Sequence, residues 1–455
     1  MDGQENKMGT MPIGKLLLTM SGPAIFSMLI NSLYNIVDSI FVAQIGENAL
    51  TAVSIVFPIQ MLMIAMGVGT GVGINSLISR RLGAKRFEDA NNAASSGIKL
   101  AVVNWLIFAI FGIFASRGFM EIFSNNKEII DFGVDYLTIV TVCSIFVMTN
   151  LLIEKIFQST GNMIYPMITI ITGAVVNIIA DPILIFGWFG LPKMGVAGAA
   201  IATVFSQFVG CAIGLFLLLT KDHAVEIKVF SFDIHWSTIK EIYAVGAPSI
   251  IMQALGSVML FGMNAILAGF SSTAVAVLGV YGKLQSFVFM PSFGVNQGAL
   301  PIMGYNYGAR NKKRLLDTFK VATMAAIIIM TMGLIIFQTI PDLLLKLFNA
   351  SPDMLAIGND ALKSISLCFI PAGFGIISAG LFQATGHGVM SMWGSILRQF
   401  AGILPLAFIF GKVFGLRAVW LSFPLAEIIG VVYYVIMLRY LYNNTFKKLG
   451  CENNE

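Results

Sequence analysis

The sequence predicts an all-α protein that crosses a membrane many times, and three observations support this prediction. The first is a high content of apolar residues, since the 455 residues are 57% hydrophobic with a mean hydropathy of +0.84. The second is a low content of charge, since only 11% of the residues are charged and the net charge is +5. A soluble domain carries about 25% charged residues, so this chain lacks the charge to cover a water-facing surface of its size. The third observation is a series of long apolar runs. These features exclude an ordinary soluble enzyme, a disordered protein and a nucleic-acid-binding protein.

Cysteine and histidine usage gives no sign of redox chemistry or of a bound metal cofactor. The four cysteines are scattered and form no CxxC pair, so we expect neither a disulfide framework nor a redox site. The chain has only three histidines, too few for a His-rich metal site. The cysteines are Cys143, Cys211, Cys368 and Cys451.

Twelve apolar runs reach the roughly 20 residues that a membrane-spanning helix requires. A β-barrel would instead show alternating segments of about ten residues, and the longest runs do not alternate. The first run continues past Pro23 to Ile40 without a small-residue cleavage site, so we interpret it as a retained span rather than a signal peptide. In chain order, spans 1 to 12 are predicted at 15–41, 49–78, 93–115, 132–157, 163–187, 195–220, 240–268, 274–301, 318–340, 355–382, 389–411 and 416–442.

The distribution of Lys and Arg predicts the orientation of the spans. If the N-terminus is cytoplasmic, the inner connections hold more than twice as many basic residues as the outer ones. Cytoplasmic connections of membrane proteins carry such an excess. We therefore predict a multi-pass protein of the cell membrane with both termini in the cytoplasm, in contact with membrane lipids.

The chain is an internal duplication with an offset of 225 residues, which drifts to 220 near the ends of the repeats. Any single match is weak, but their agreement covers more than half of the repeat. The matched pairs are Pro23 with Pro248, Gln60 with Gln285, Gly83–Ala84 with Gly308–Ala309, Phe157–Gln158 with Phe382–Gln383, Thr160–Gly161 with Thr385–Gly386, Gly195 with Gly415 and Gly210 with Gly430.

Six spans per repeat is an even number, so the two repeats enter the membrane in the same direction. This predicts two parallel six-helix lobes, the layout of many secondary transporters. The N-lobe is predicted at 1–220 and the C-lobe at 240–455. The polar segment 221–239 is the expected cytoplasmic linker between them.

Two acidic residues lie inside predicted spans, where an ionisable side chain costs about 2.5–3.5 kcal/mol on insertion scales. They are Asp38 in span 1 and Asp181 in span 5. Asn177 precedes Asp181 by four residues and therefore lies on the same helix face. Pro182 leaves the carbonyl of Ile178 without its helical partner.

These groups, together with the hydroxyl of Thr203 in span 6, form a predicted set of oxygen donors. Oxygen ligands suit a hard cation such as Na⁺, and a buried carboxylate suits a proton. The alternative is that Asp38 and Asp181 are structural, capping or pairing near the ends of their helices. Their equivalents in the second repeat are not acidic, which favours a functional role.

Other polar residues within the spans are candidates to line a substrate path, although structural pairing explains them as well. Arg398 and Glu427 could pair across neighbouring spans, and Glu427 aligns with Gln207 of the first repeat. Glu154 and Lys155 are expected to form an interfacial pair. The substrate-path candidates are Gln60, Gln253, Lys283, Gln285, Arg398 and Glu427.

Several ordered motifs resemble the multidrug and toxic compound extrusion (MATE) family along nearly the entire chain. The similarity is greatest to bacterial members of the MepA type and the DNA-damage-inducible type. The motifs are YNIVDSIF at 34–41, SRRLGA at 79–84, FQSTGN at 157–162, NIIADP at 177–182, GVAGAAIAT at 195–203 and GYNYGA at 304–309.

The resemblance implies a V-shaped pair of six-helix lobes that expels organic cations in exchange for H⁺ or Na⁺. It implies a coupling site, and with it a possible Na⁺ site, at Asp38, Asn177, Asp181 and Thr203. Some family members also carry acidic residues in spans 7 and 10. Gly256 and Phe374 occupy the positions that we align with those acids, so a C-lobe sodium site is not expected here.

Taken together, the expected function is multidrug efflux by antiport and alternating access. The expected substrates are cationic or amphipathic drugs, and the expected state is a monomer without a cofactor apart from the coupling ion. The alternative within the same superfamily is a flippase for lipid-linked precursors. An intramembrane enzyme is not expected, because His223 and His235 lie in the linker and His387 at a span end. A pore is the third hypothesis, and it predicts flux that runs only down a gradient.

Overall fold

The computed structural model describes residues 6–221, 224–227, 235–348 and 350–449. Within these ranges every long element is a helix and no strand occurs. Ten helices are long and apolar enough to cross a membrane, and two further pairs of helices pass the same test as bent spans. The described chain is therefore an all-α, multi-pass membrane protein with twelve spans when each bent pair counts as one.

The observed spans follow the predicted apolar runs and extend several of them at their ends. The helices are Ile13–Ile45, Glu47–Gly83, Phe87–Phe114, Lys127–Val142 with Ile145–Ser159, Ile164–Phe186, Gly195–Thr220, Trp236–Ala268, Ser272–Gly308, Lys312–Thr339, Pro352–Ser366 with Phe369–Ala384, Gly388–Phe414 and Leu416–Lys448. Short helices occupy Lys7–Thr10, Ser116–Phe123 and Pro341–Lys346.

Spans 4 and 10 are each broken, where the apolar pattern predicted one continuous helix. The two pieces of span 4 meet at 45° and those of span 10 at 48°. The breaks fall at 143–144 and 367–368, within one residue of equivalent positions of the duplication. At the first break the indole Nε1 of Trp105 donates a 2.7 Å hydrogen bond to the carbonyl of Val142. Hydropathy reports burial in lipid and carries no information about such a local break.

The described residues form two compact units, and both units include parts of both predicted lobes. The N unit comprises Phe26–Leu82 and Arg86–Ile250, and the C unit comprises the chain up to Ile25, residues 83–85 and the chain from Ile251 onward. The division of the chain into lobes at 221–239 stays a prediction. Within that segment, residues 222–223, which include His223, and 228–234 lie outside the described residues, as does Cys451.

In the C unit the beginning of span 1 packs against two glycines of span 8. A Cβ atom placed on Gly294 would lie 2.9 Å from the backbone nitrogen of Ile25. A Cβ atom placed on Gly298 would lie 2.8 Å from the backbone nitrogen of Ser21. The hydroxyl of Ser21 also donates to the carbonyl of Val295. Only glycine permits so close an approach of two helix backbones, as in small-xxx-small interfaces within membranes.

In the N unit the beginning of span 7 packs in the same way against two glycines of span 2. A Cβ atom on Gly69 would lie 2.7 Å from the backbone nitrogen of Ile250, and one on Gly73 would lie 3.0 Å from that of Gly246. All four contacting positions are related to those in the C unit by the offset of 225. The first span of each repeat therefore begins in the unit formed mainly by the other repeat.

Polar contacts hold both helix beginnings in place. In the N unit, Arg81 at the end of span 2 makes two hydrogen bonds of 2.7 and 2.8 Å to the carboxylate of Glu241 in span 7. In the C unit, Arg314 donates to the carbonyls of Met8 and Met11, and Asn306 donates to that of Met8. The segment that leads into span 1 is thereby fixed to the ends of spans 8 and 9.

These glycine contacts predict a stability difference between two otherwise similar substitutions. Gly73→Ala places a Cβ atom against backbone of span 7 and should destabilise the folded protein by about 1–3 kcal/mol, the usual range for overpacking. The melting temperature of each purified variant in detergent measures the difference. It is obtained by size-exclusion chromatography of samples heated to increasing temperatures.

Gly279→Ala is the matched control, because a Cβ atom on this glycine of span 8 meets nothing within 4 Å. Alanine is favoured over glycine within a helix, so the control should be neutral or stabilising. Equal melting temperatures for the two variants would contradict the proposed packing.

Candidate coupling site in the N unit

Span 5 presents a carboxyl group and an amide on one buried face. The side chains of Asn177 and Asp181 lie one turn apart, and neither residue is exposed. Pro182 follows directly within the helix, so the carbonyl of Ile178 has no backbone N–H to accept from at the usual position. The predicted face of span 5 is thus present in the structure as a cluster of oxygen-bearing groups.

The carboxyl group of Asp38 in span 1 lies within electrostatic range of that of Asp181. Asp38 is half-buried and Asp181 fully buried. Among the described residues, no Lys, Arg or His side chain acts on either carboxyl group. Two carboxyl groups in a low-dielectric environment without a basic partner repel each other when both are ionised. The site is therefore electrostatically suited to take up a proton or a small cation.

Most polar atoms of this cluster have no hydrogen-bond partner. The unpartnered atoms are Oδ1 of Asp38, both carboxyl oxygens of Asp181, and the amide oxygen and nitrogen of Asn177. Buried polar groups in native proteins almost always have a partner, and an unsatisfied group costs about 1–3 kcal/mol. A proton shared between the carboxyl groups, or a bound cation with its ordered water, would satisfy the oxygens.

Two tyrosines complete the cluster. Neither was predicted as a site residue, although Tyr34 begins the YNIVDSIF motif. Tyr136 of span 4 accepts a 3.2 Å hydrogen bond from the amide Nε2 of Gln60, and its hydroxyl lies close to Thr203. Tyr34 of span 1 and Tyr136 both lie within electrostatic range of Asp38 and Asp181. Thr203 is buried, as its predicted role requires.

The structure therefore brings all four predicted coupling residues into one region of the N unit, with spans 1, 4, 5 and 6 contributing. It also places Gln60, predicted as a substrate-path residue, beside them through Tyr136. A tyrosine within the apolar run of span 4 was the one available sequence signal for Tyr136. Pairing between spans 2 and 4 could not be deduced from the order of residues.

The remaining substrate-path candidates lie in the C unit. Gln253 and Lys283 are exposed, Gln285 is half-buried, and the Lys283 ammonium lies 5.9 Å from the ring centre of Phe348. Arg398 and Glu427 form an ion pair of 3.4 Å across spans 11 and 12. Their pairing is the structural alternative named above, and whether any of these residues contacts a substrate stays a prediction.

Glu154 and Lys155 differ from the expectation of an interfacial pair, because both are buried. Each is 6% exposed. Oε1 of Glu154 accepts a 2.8 Å hydrogen bond from the Asn150 amide, and Lys155 donates a 2.8 Å bond to Oε1 of Gln158. Both bonds form within span 4, so the helix itself supplies polar partners at a depth where the sequence alone suggested water or lipid head groups.

Comparisons with known proteins agree with the observed fold. The family model MatE matches residues 23–183 and 248–409, one match in each repeat. The multidrug export protein MepA of Staphylococcus haemolyticus (strain JCSC1435) is 28% identical over 419 residues, which cover 91% of each chain.

Two solved structures are similar over nearly the entire chain. A MATE in the straight conformation has a TM-score of 0.90 and 25% identity, and the match covers 97% of this chain and 99% of that one. A MATE in the bent conformation has a TM-score of 0.87 and 26% identity, covering 95% and 96%. Because the family model matches more than half of the residues, in both repeats, the chain belongs to the MATE family of membrane transporters.

Proposed function

We propose that this protein exports cationic and amphipathic toxic compounds in exchange for H⁺ or Na⁺ by alternating access. The observation that supports the proposal is the proximity of the Asp38 and Asp181 carboxyl groups without a basic partner among the described residues. A MepA relative is named as a multidrug export protein, which supports drugs as the substrate class. The two-unit architecture supports alternating access, the mechanism common to duplicated secondary transporters.

In the proposed cycle, the coupling ion binds among Asp38, Asn177, Asp181 and Thr203. The bound positive charge removes the repulsion between the carboxyl groups and so permits them to approach. Release of the ion restores two negative charges, which attract a cationic drug. Drug and ion can exchange only as far as their affinities differ between the two conformations. Competition for the same carboxylates supplies that difference.

Span 1 is suited to transmit the change in charge. Its beginning, up to Ile25, belongs to the C unit, and its remainder, with Asp38, belongs to the N unit. Pro23 lies two residues before this division and removes one backbone hydrogen bond from the helix. Helices bend most readily at such prolines. In the proposal, span 1 changes its course near Pro23 when the charge at Asp38 changes.

The first test replaces the charge at the site. Asp38→Asn keeps the shape of the side chain but removes the exchangeable negative charge, so gradient-driven efflux of a cationic dye should fall to the background rate. The assay uses proteoliposomes containing ethidium, with pH and Na⁺ gradients imposed separately. The gradient that drives efflux by the unmodified protein identifies the coupling ion.

Glu88→Gln serves as the control, because it removes an exposed acid at the start of span 3 and should leave efflux unchanged. Normal efflux by Asp38→Asn under either gradient would exclude this carboxyl group as the coupling group. Efflux by the unmodified protein that runs only down the dye gradient would indicate a pore.

A second test concerns the hydroxyl of Tyr136, which accepts a hydrogen bond from Gln60 and lies near the acidic pair. Tyr136→Phe removes this hydrogen bond, worth about 0.5–1.5 kcal/mol, so the coupling ion should bind up to roughly 10-fold more weakly while efflux persists at high ion concentration. The measurement is the concentration of H⁺ or Na⁺ that gives half-maximal efflux.

Tyr243→Phe, a half-buried tyrosine of span 7 in the same unit, is the matched control and should retain the original ion dependence. An unchanged half-maximal concentration in Tyr136→Phe would show that the tyrosine does not position the coupling site.

A further inference from the structure

The C unit contains a second buried charged cluster, centred on Arg398 and Glu427. Nη1 of Arg398 lies 3.4 Å from both carboxylate oxygens of Glu427. The Glu427 side chain is 5% exposed and that of Arg398 is 24% exposed. Charge-assisted hydrogen bonds in proteins are typically 2.7–2.9 Å long, so the two groups are paired electrostatically but are not tightly bonded.

This cluster is held by the last two spans of its repeat. Arg398 lies on span 11, the fifth span of the second repeat, ahead of Pro405, and Glu427 lies on span 12, the sixth. In the N unit the equivalent spans 5 and 6 carry Asp181 and Thr203, whereas Asp38 lies on span 1. The two clusters therefore share the last two spans of a repeat, although their residues do not occupy equivalent positions.

The backbone around Arg398 is distorted in a way that is common at functional sites. Residues Ile396–Ile403 form a π-helical segment within span 11. Pro405 removes the backbone donor that would bond to the carbonyl of Ala401, which relaxes the α-helical pattern there. π-helical turns are rare and occur frequently at functional sites.

The two clusters differ in their charge. The N unit has two carboxyl groups and no basic partner among the described residues. The C unit has one carboxyl group and one guanidinium group, so its net charge is zero when both are ionised. The other titratable groups that face the pair are Tyr281 of span 8, Cys368 of span 10 and Tyr434 of span 12. Among the described residues, Arg398 is the only basic group acting on Glu427.

Small residues and unpartnered atoms surround the pair. A Cβ atom on Gly375 would lie 3.3 Å from Oε1 of Glu427, and one on Gly430 would lie 3.6 Å from Cβ of Arg398. Nε of Arg398 and the hydroxyl of Tyr281 have no hydrogen-bond partner. The neighbouring Gln399 is likewise unpartnered at Oε1, and its oxygen faces the glycine at position 256. Two oxygen atoms without a partner, the Tyr281 hydroxyl and Oε1 of Gln399, are thus available to a cation near the pair.

We propose that Arg398 acts as a tethered cation, meaning a positive charge that is covalently part of the chain and neutralises Glu427 permanently. It thereby supplies in the C unit the positive charge that, in the proposed function, the N unit takes from solution as H⁺ or Na⁺. Glu427 is then neutralised by its own chain and does not exchange H⁺ or Na⁺. The guanidinium thereby restricts coupling to the N unit. Without the guanidinium charge, Glu427 and the surrounding oxygens become a second exchangeable cation site.

A purely structural ion pair is the alternative, and it makes a different prediction. Replacing both members of a buried pair by neutral residues of similar size is often close to neutral for stability, whichever role the pair has. A tethered cation predicts that its removal leaves a site that binds a mobile cation such as Na⁺, whereas a structural pair predicts that the remaining carboxyl group takes up a proton and binds no Na⁺. The two hypotheses are therefore separated by ion binding and not by stability.

The experiment measures ion binding directly in the full-length protein purified in detergent. The background is Asp38→Asn with Asp181→Asn, which removes the proposed coupling site, and in this background we expect no saturable uptake of cations. Adding Arg398→Gln should create saturable binding of about one monovalent cation per chain. Equilibrium binding of ²²Na⁺ detects the new site, since proton uptake alone is also expected of a carboxyl group that has lost a structural partner.

Two control variants assign the new site. Arg398→Lys keeps a positive charge and should create no binding, and Arg398→Gln with Glu427→Gln removes both charges and should also create none. Cation binding by either control, or none in a folded Arg398→Gln variant, would overturn the proposal.

A complementary variant keeps the proposal testable if Arg398→Gln fails to fold. Glu427→Gln leaves the guanidinium without its partner, so this variant should bind about one chloride ion per chain, measured with ³⁶Cl⁻. The absence of chloride binding by the folded Glu427→Gln protein would contradict a tethered cation. These readouts do not depend on efflux, so failure of the proposed antiport and failure of this inference are distinguishable.

Discussion

The proposed coupling site depends on the repulsion between two carboxyl groups, one half-buried and one fully buried, that lie near each other without a basic partner among the described residues. Asp38 and Asp181 come from different spans, and no described Lys, Arg or His acts on them. In water such a pair would repel weakly, but the interaction strengthens several-fold where the dielectric constant is low. In the proposed function, binding of a proton or a small cation relieves this repulsion and its release restores it, so that the charge of the site is coupled to a change of shape.

In the proposed function, span 1 transmits the change in charge, because this helix belongs to both compact units. The first span of each repeat begins in one compact unit and continues in the other. Glycine pairs at equivalent positions, Gly69 with Gly73 and Gly294 with Gly298, hold the two beginnings against neighbouring backbone. Pro23 and Pro248 lie close to the two points of division. The duplicated chain therefore has two similar first spans, of which only span 1 carries an acidic residue of the proposed coupling site.

Much of the fold and part of the site were predictable from the sequence. Long apolar runs specify spans because backbone hydrogen bonds must be satisfied within lipid, and the cost of burying charge identified Asp38 and Asp181. The breaks in spans 4 and 10 and the π-helical segment were missed, because they arise from local backbone geometry. Tyr136 was missed because its bond to Gln60 joins separate spans. The exchanged helix beginnings were missed because glycine spacing does not reveal which helix fills the space.

The central claim is that drug and coupling ion compete for the same carboxyl groups, and ion release on drug binding tests it most directly. A cationic dye is titrated into the purified, unmodified protein while free H⁺ and Na⁺ are recorded. If drug and ion compete, each bound dye displaces about one H⁺ or Na⁺, and raising the concentration of that ion weakens dye binding reciprocally. Dye binding that releases neither ion, with an affinity independent of pH and sodium, would contradict it.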